Sequence, residues 1–134
     1  METHVLTVDT AERKFIDLTQ HLADFVSGRG DGLLSVFAPH STVGLAILEM
    51  GSMSDTDLEH ALERLLPRDD AYYAHAHGTP GHGADHLVPA LISPSLVLPV
   101  IEGRPALGTW QSVVLVDLNT DNRERQVRLS FFAG

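Results

Sequence analysis

Gln111-Ser112-Val113-Val114-Leu115-Val116-Asp117-Leu118 is a nearly continuous apolar run of strand length, and such a strand needs cover on both faces. A few residues on, Gln126 to Phe132 alternates cleanly and sets Val127, Leu129 and Phe131 on one face, the pattern of a strand with one side on a core and the other in water. Upstream, Leu33 to Ala38 reads as a short buried strand; Pro39-His40-Ser41 breaks it, and Val43 to Leu48 resume a strand-like run. Two strands thus flank a bend that carries a histidine. Val5, Leu6 and Val8 give an opening strand and Arg13 to Asp17 a second candidate. Ser95 to Ile101 is a β-branched run whose Pro99 suits only an edge strand or a bulge.

Helical spacing has two main locations. Leu18, Leu22, Phe25 and Val26 form one stripe, ended by the glycines from Gly28 to Gly32. Leu58, Ala61, Leu62 and Leu65 form the other, with Ser54 and Asp57 as an N-terminal capping pattern and Pro67 as the stop. His86 to Ile92 fits one or two helical turns interrupted by Pro89. Six to eight strands and two main helices predict an α+β fold in a single domain over residues 1–134, without repeats or a dividing linker.

The 134 residues carry 9 basic and 18 acidic side chains, a net charge of −9, with Lys14 the single lysine. That balance repels phosphate backbones, so nucleic acid is not an expected partner. The absence of cysteine excludes disulfides, thiolate metal sites and thiol catalysis. No run approaches the roughly 18 apolar residues of a membrane span, and Met1-Glu2-Thr3-His4 lacks a basic leader, which together predict a soluble cytoplasmic protein that does not engage a membrane. With 43% hydrophobic and only 20% charged residues, some apolar surface is expected to meet another subunit. The two apolar faces of Val113 to Val116 point the same way, toward a closed homotrimer; the alternative is that the two helices cover the second face and leave a monomer.

Histidine is the compositional outlier: eight residues, four of them (His75, His77, His82, His86) within twelve positions of a long irregular segment from Arg68 to Asp85 and its border. Imidazole suits zinc and related divalent ions, and three ligands with one open position is the catalytic pattern. His40 at the strand break, with His75 and His86 bracketing the loop, would supply three ligands if the loop folds back over the bend; otherwise these are polar side chains of a solvated loop. Glu49 ends an apolar run, either aimed at a covered face as a carboxylate partner or facing water. Trp110 reads as core or interface packing, or as a pocket wall. Arg104, Arg123 and Arg125 are candidates for anion binding through their fork of donors, or for pairing with the plentiful carboxylates. No P-loop, dinucleotide fingerprint or nucleophile elbow is present.

Pro39-His40-Ser41-Thr42, Glu49, Pro67, Tyr73-x-His75, Asp85-His86-Leu87 and Ser95-Leu96-x-Leu98-Pro99-Val100, leading to Gly103-Arg104-x-x-Leu107-Gly108-Thr109-Trp110-Gln111, together resemble the YjbQ family, also called uncharacterised protein family 0047 or the secondary thiamine-phosphate synthase family. The resemblance runs from about Val5 to Phe132. It implies a β-sandwich within the α+β class, a homotrimer, and a weak thiamine-phosphate synthase activity that joins a pyrimidine diphosphate to a thiazole phosphate. It maps the family's three histidines onto His40, His75 and His86, where a divalent ion such as zinc is expected, and its carboxylate onto Glu49, the expected catalytic group. Arg123 or Arg125 would bind a phosphorylated small-molecule substrate, with Ser95, Thr109 and Trp110 beside it. The alternative is a non-catalytic metal- or anion-binding homotrimer. The sequence departs from the family pattern at Leu48 and His82, where asparagine is usual, at Ala76, where aspartate is usual, and at Asp121-Asn122-Arg123, where Gly-Pro-Arg is usual. His77 or His82 is then open to replacing a missing ligand or donor.

Overall fold

The computed structural model describes residues 1–134. The long apolar run forms strand β7 (Ser112–Asp117), the centre of a three-stranded antiparallel sheet between β2 (Phe15–Asp17) and β4 (Val43–Leu48). The alternating run becomes β8 (Glu124–Ala133), which lies between β1 (Glu2–Asp9) and β3 (Gly32–Phe37) in a five-stranded sheet completed by β5 (Ser95–Ile101) and the two-residue β6 (Arg104–Pro105). Every pairing is antiparallel. Pro99 fits its strand because β6 pairs only with Val100 and Ile101, so one side of β5 is an edge over most of its length.

The two sheets face each other across one core. Leu34, Val36, Leu98, Val100, Val127, Leu129 and Phe131 come from the larger sheet, and Val43, Leu45, Val113 and Leu115 from the smaller. Helix α1 (Thr19–Val26) seals one end with Leu22 and Val26, preceded by Leu18. The opposite face of β7 carries Val114 and Val116, and these pack with Phe15, Leu118, Leu62 of α2 (Ser54–Leu65) and Val88 of α4 (Val88–Leu91). Both faces of β7 are therefore covered inside one chain. The inference of a trimer from this strand is corrected: α2 and α4, not a neighbouring subunit, bury its second side.

Three local expectations are revised as well. Helix α2 starts from Met53, at φ 73°, with no side-chain cap, and Ser54 is already its first helical residue. Pro89 interrupts nothing, because it lies in the first turn of α4, where no backbone donor is required. Trp110 is not in the core; it stands 73% exposed on the turn between β6 and β7.

Candidate metal centre

After Pro67 the chain makes one 3₁₀ turn at Asp70–Tyr72, runs irregularly through His75 and His77, and closes into the short helix α3 (His82–Asp85). The backbone N–H of His86 bonds to the carbonyl of His82, so these residues stand one turn apart on the same helical face. His75 crosses over them. Gly83 permits the crossing: a Cβ there would collide with the His75 carbonyl oxygen and lie 2.8 Å from the Tyr73 Cβ.

The result is a stack of imidazoles. The His75 ring lies 4.2 Å from His86, 4.8 Å from His82 and 4.5 Å from His77 between centroids. One ligand nitrogen from each of His75, His82 and His86 falls within 4.8 Å of the others. The Nε2 atoms of His75 and His82 are 3.1 Å apart. Two nitrogens on a tetrahedral zinc ion, each at about 2.0–2.1 Å, would stand about 3.3 Å apart, so this pair is already near ligand spacing. Three nitrogens without a carboxylate suit zinc, cobalt, nickel or copper and not magnesium. Burial, followed by the neighbouring His75 and His82, holds the His86 imidazole below its ordinary range and favours the neutral form that a metal needs.

Beneath the histidines lies a polar network. The Asp121 carboxylate meets Nδ1 of His82 at 2.7 Å and accepts from the Thr79 hydroxyl and from Nδ2 of Asn119 at 3.3 Å. Its pKa is lowered to about 2, chiefly by Thr79 and then by His82. Asn119 Nδ2 also donates to Asp85, 3.0 Å away, whose buried carboxylate receives both terminal nitrogens of Arg68. This pair anchors α3 and with it the spacing of His82 and His86.

His40 is elsewhere in the hydrogen-bond pattern. Its Nε2 accepts from the backbone N–H of Gln126 at 2.9 Å, which ties the β3–β4 bend to β8. His82, and not His40, joins His75 and His86 in the nitrogen group. Arg125 is unavailable to an anion within the chain: it is 3% exposed and bonded to both Asp117 oxygens and to Thr42. Arg123 is exposed and pairs with Asp9. Glu49, Ser95 and Thr109 are exposed, Glu49 because β4 ends one residue earlier. Spacing alone grouped His40 with His75 and His86 and left His82 only as an open replacement; His82 and His86 come to one face once the segment coils into a helical turn.

The family model for UPF0047 protein YjbQ-like sequences matches residues 4–134. A UPF0047 protein of Mycobacterium tuberculosis is 59% identical over 134 residues, covering 100% of both chains. A UPF0047 protein of Methanothermobacter thermautotrophicus is 36% identical over 132 residues, covering 96% of this chain and 90% of its own. Among solved structures, a hypothetical protein from Aeropyrum pernix K1 superposes with a TM-score of 0.86 at 32% identity, covering 100% of both chains. Sandwich, signature residues and relatives agree over the whole length, and the chain belongs to the UPF0047 family of YjbQ-like proteins.

Proposed function

We propose that the chain holds a divalent transition-metal ion on His75, His82 and His86 and offers the ion's open position to a phosphorylated small molecule, as a cytoplasmic homotrimer. The observation that carries this reading is the 3.1 Å approach of two Nε2 atoms beside a third imidazole on the same helical turn. Three protein nitrogens leave one tetrahedral position open, as in catalytic sites and unlike closed structural ones. When bound, the ion would supply a Lewis acid for a phosphate or diphosphate oxygen. Glu49, exposed beyond β4, is the candidate proton acceptor, and Arg123 is the arginine whose exposure leaves it free to exchange Asp9 for a substrate phosphate.

The reaction to assay is the joining of a pyrimidine diphosphate to a thiazole phosphate, since the family resemblance carries it. Zinc-loaded protein is expected to turn over both substrates, and His75→Ala to abolish that turnover. Equal rates from both proteins would remove the centre from the chemistry. A binding-only role has its own support: Arg68 and Arg125 are both saturated by carboxylates inside the chain. Metal binding without turnover, unchanged by Glu49→Gln, would favour it.

A further inference from the structure

A three-imidazole centre works only if each ring presents a bare nitrogen to the ion. A neutral imidazole has one N–H and one lone pair, and whatever bonds to one nitrogen decides which is which. For His82 the choice is set on the side away from the centre. Its Nδ1 faces Asp121 Oδ2 at 2.7 Å, and a carboxylate only accepts, so in the neutral ring Nδ1 carries the hydrogen and Nε2 is bare. That bare Nε2 is the atom 3.1 Å from Nε2 of His75. With His82 neutral, the hydrogen between them comes from His75, and a bound cation would take its place.

Asp121 does not hold this position by itself. The Thr79 hydroxyl donates to its Oδ1 at 2.5 Å, Asn119 Nδ2 to its Oδ2 at 3.3 Å, and its own backbone N–H to Asn119 Oδ1 at 3.0 Å. Asn119 is buried and fixed in turn by Asp85. We propose that Asp121, held by Thr79 and Asn119, is the positioning residue that commits His82 to bind through Nε2, and so tunes the centre for a nitrogen-seeking ion of the zinc class. The proposal rests on the three-histidine reading above. The carboxylate also makes the imidazole a stronger donor, and the loss of such partners typically costs about 10–100-fold in metal affinity.

The test uses the full-length chain with two readouts, nitrogen-15 NMR of the imidazoles without metal at about pH 8, well above the free-histidine value of about 6.5, and calorimetric titration with zinc or magnesium. In the wild type, His82 is expected as the Nδ1–H tautomer, with zinc bound and magnesium giving no heat. Asp121→Ala should shift His82 toward the Nε2–H tautomer and weaken zinc about 10–100-fold. Asp121→Asn, whose amide oxygen still accepts, should recover part of both effects, and Thr79→Ala should lose part. An Nε2–H tautomer in the wild type overturns the positioning role. So does unchanged zinc affinity in Asp121→Ala when His82→Ala has lost it, or magnesium binding as well as zinc. If the wild type binds no zinc, the three-histidine reading itself falls, while the tautomers still decide whether Asp121 orients His82.

Discussion

Gly83 leaves room for a hydrogen and nothing larger, because a methyl group would strike the carbonyl of His75 and the Tyr73 side chain. Gly83→Ala is therefore expected to lift the segment through His75 off α3, cut zinc affinity at least tenfold, and leave the sandwich folded, as checked by titration beside circular dichroism. His40 gives a different residue-level prediction. Burial, then the Arg125 guanidinium, holds its pKa below the ordinary 6.5, and its Nε2 must stay bare to accept from Gln126. The unfolded chain takes up that proton first, so the stabilisation is complete above about 6.5 and declines as pH falls through that value toward the lower folded one. Urea midpoints at about pH 8 and pH 5.5 should differ less in His40→Gln than in the wild type. Residue identity showed that histidines matter and fell short of which ones act together. His40 and His86 looked alike by type, and what separates them is the hydrogen bond from Gln126 to one and the stack on His75 for the other. His82 and Asp121 are 39 positions apart, and local spacing carries no sign that they meet.

At the level of elements, α2 is the cover that makes β7 an interior strand. Leu62 is 3% exposed in the cluster between them, so Leu62→Ala should cost about 2–5 kcal/mol in chemical denaturation, against little change for exposed Leu65→Ala. All strands but the two-residue β6, and both main helices, were readable from apolar periodicity because sandwich strands with one wet face alternate and buried ones do not. The partner of each face was less readable. The apolar run of Val113 to Val116 demands two covers without saying whether they lie in the same chain, and Leu58, Leu62 and Val88 supply the second one. The start of α2 was misplaced by one residue because a Ser-x-x-Asp pattern resembles a cap, whereas Met53 turns the chain in the left-handed region.

For the whole molecule, the outer face of the five-stranded sheet is the surface on which the proposed trimer would assemble. Leu33, Phe37, Val97, Ile101 and Phe132 point away from the core along β3, β5 and β8, each 42–61% exposed. Exposed apolar residues grouped on one sheet face are candidates for an association surface, and they differ from the residues the sequence suggested for the proposed homotrimer. Light scattering should give about three times 14.6 kDa, and Val97→Asp, whose side chain the core never meets, should return the mass to 14.6 kDa without unfolding. A wild-type mass of 14.6 kDa would contradict the trimer. The central claim concerns the centre inside each chain, that His75, His82 and His86 gather one nitrogen-bound ion. The most direct test titrates metal-free protein with cobalt(II) and reads its visible absorption, which is intense for tetrahedral and weak for octahedral coordination. An intense band saturating at one ion per chain is expected, kept in His40→Ala and lost in His82→Ala and in His86→Ala. A band that survives in both of those variants, or disappears with His40→Ala, would contradict it.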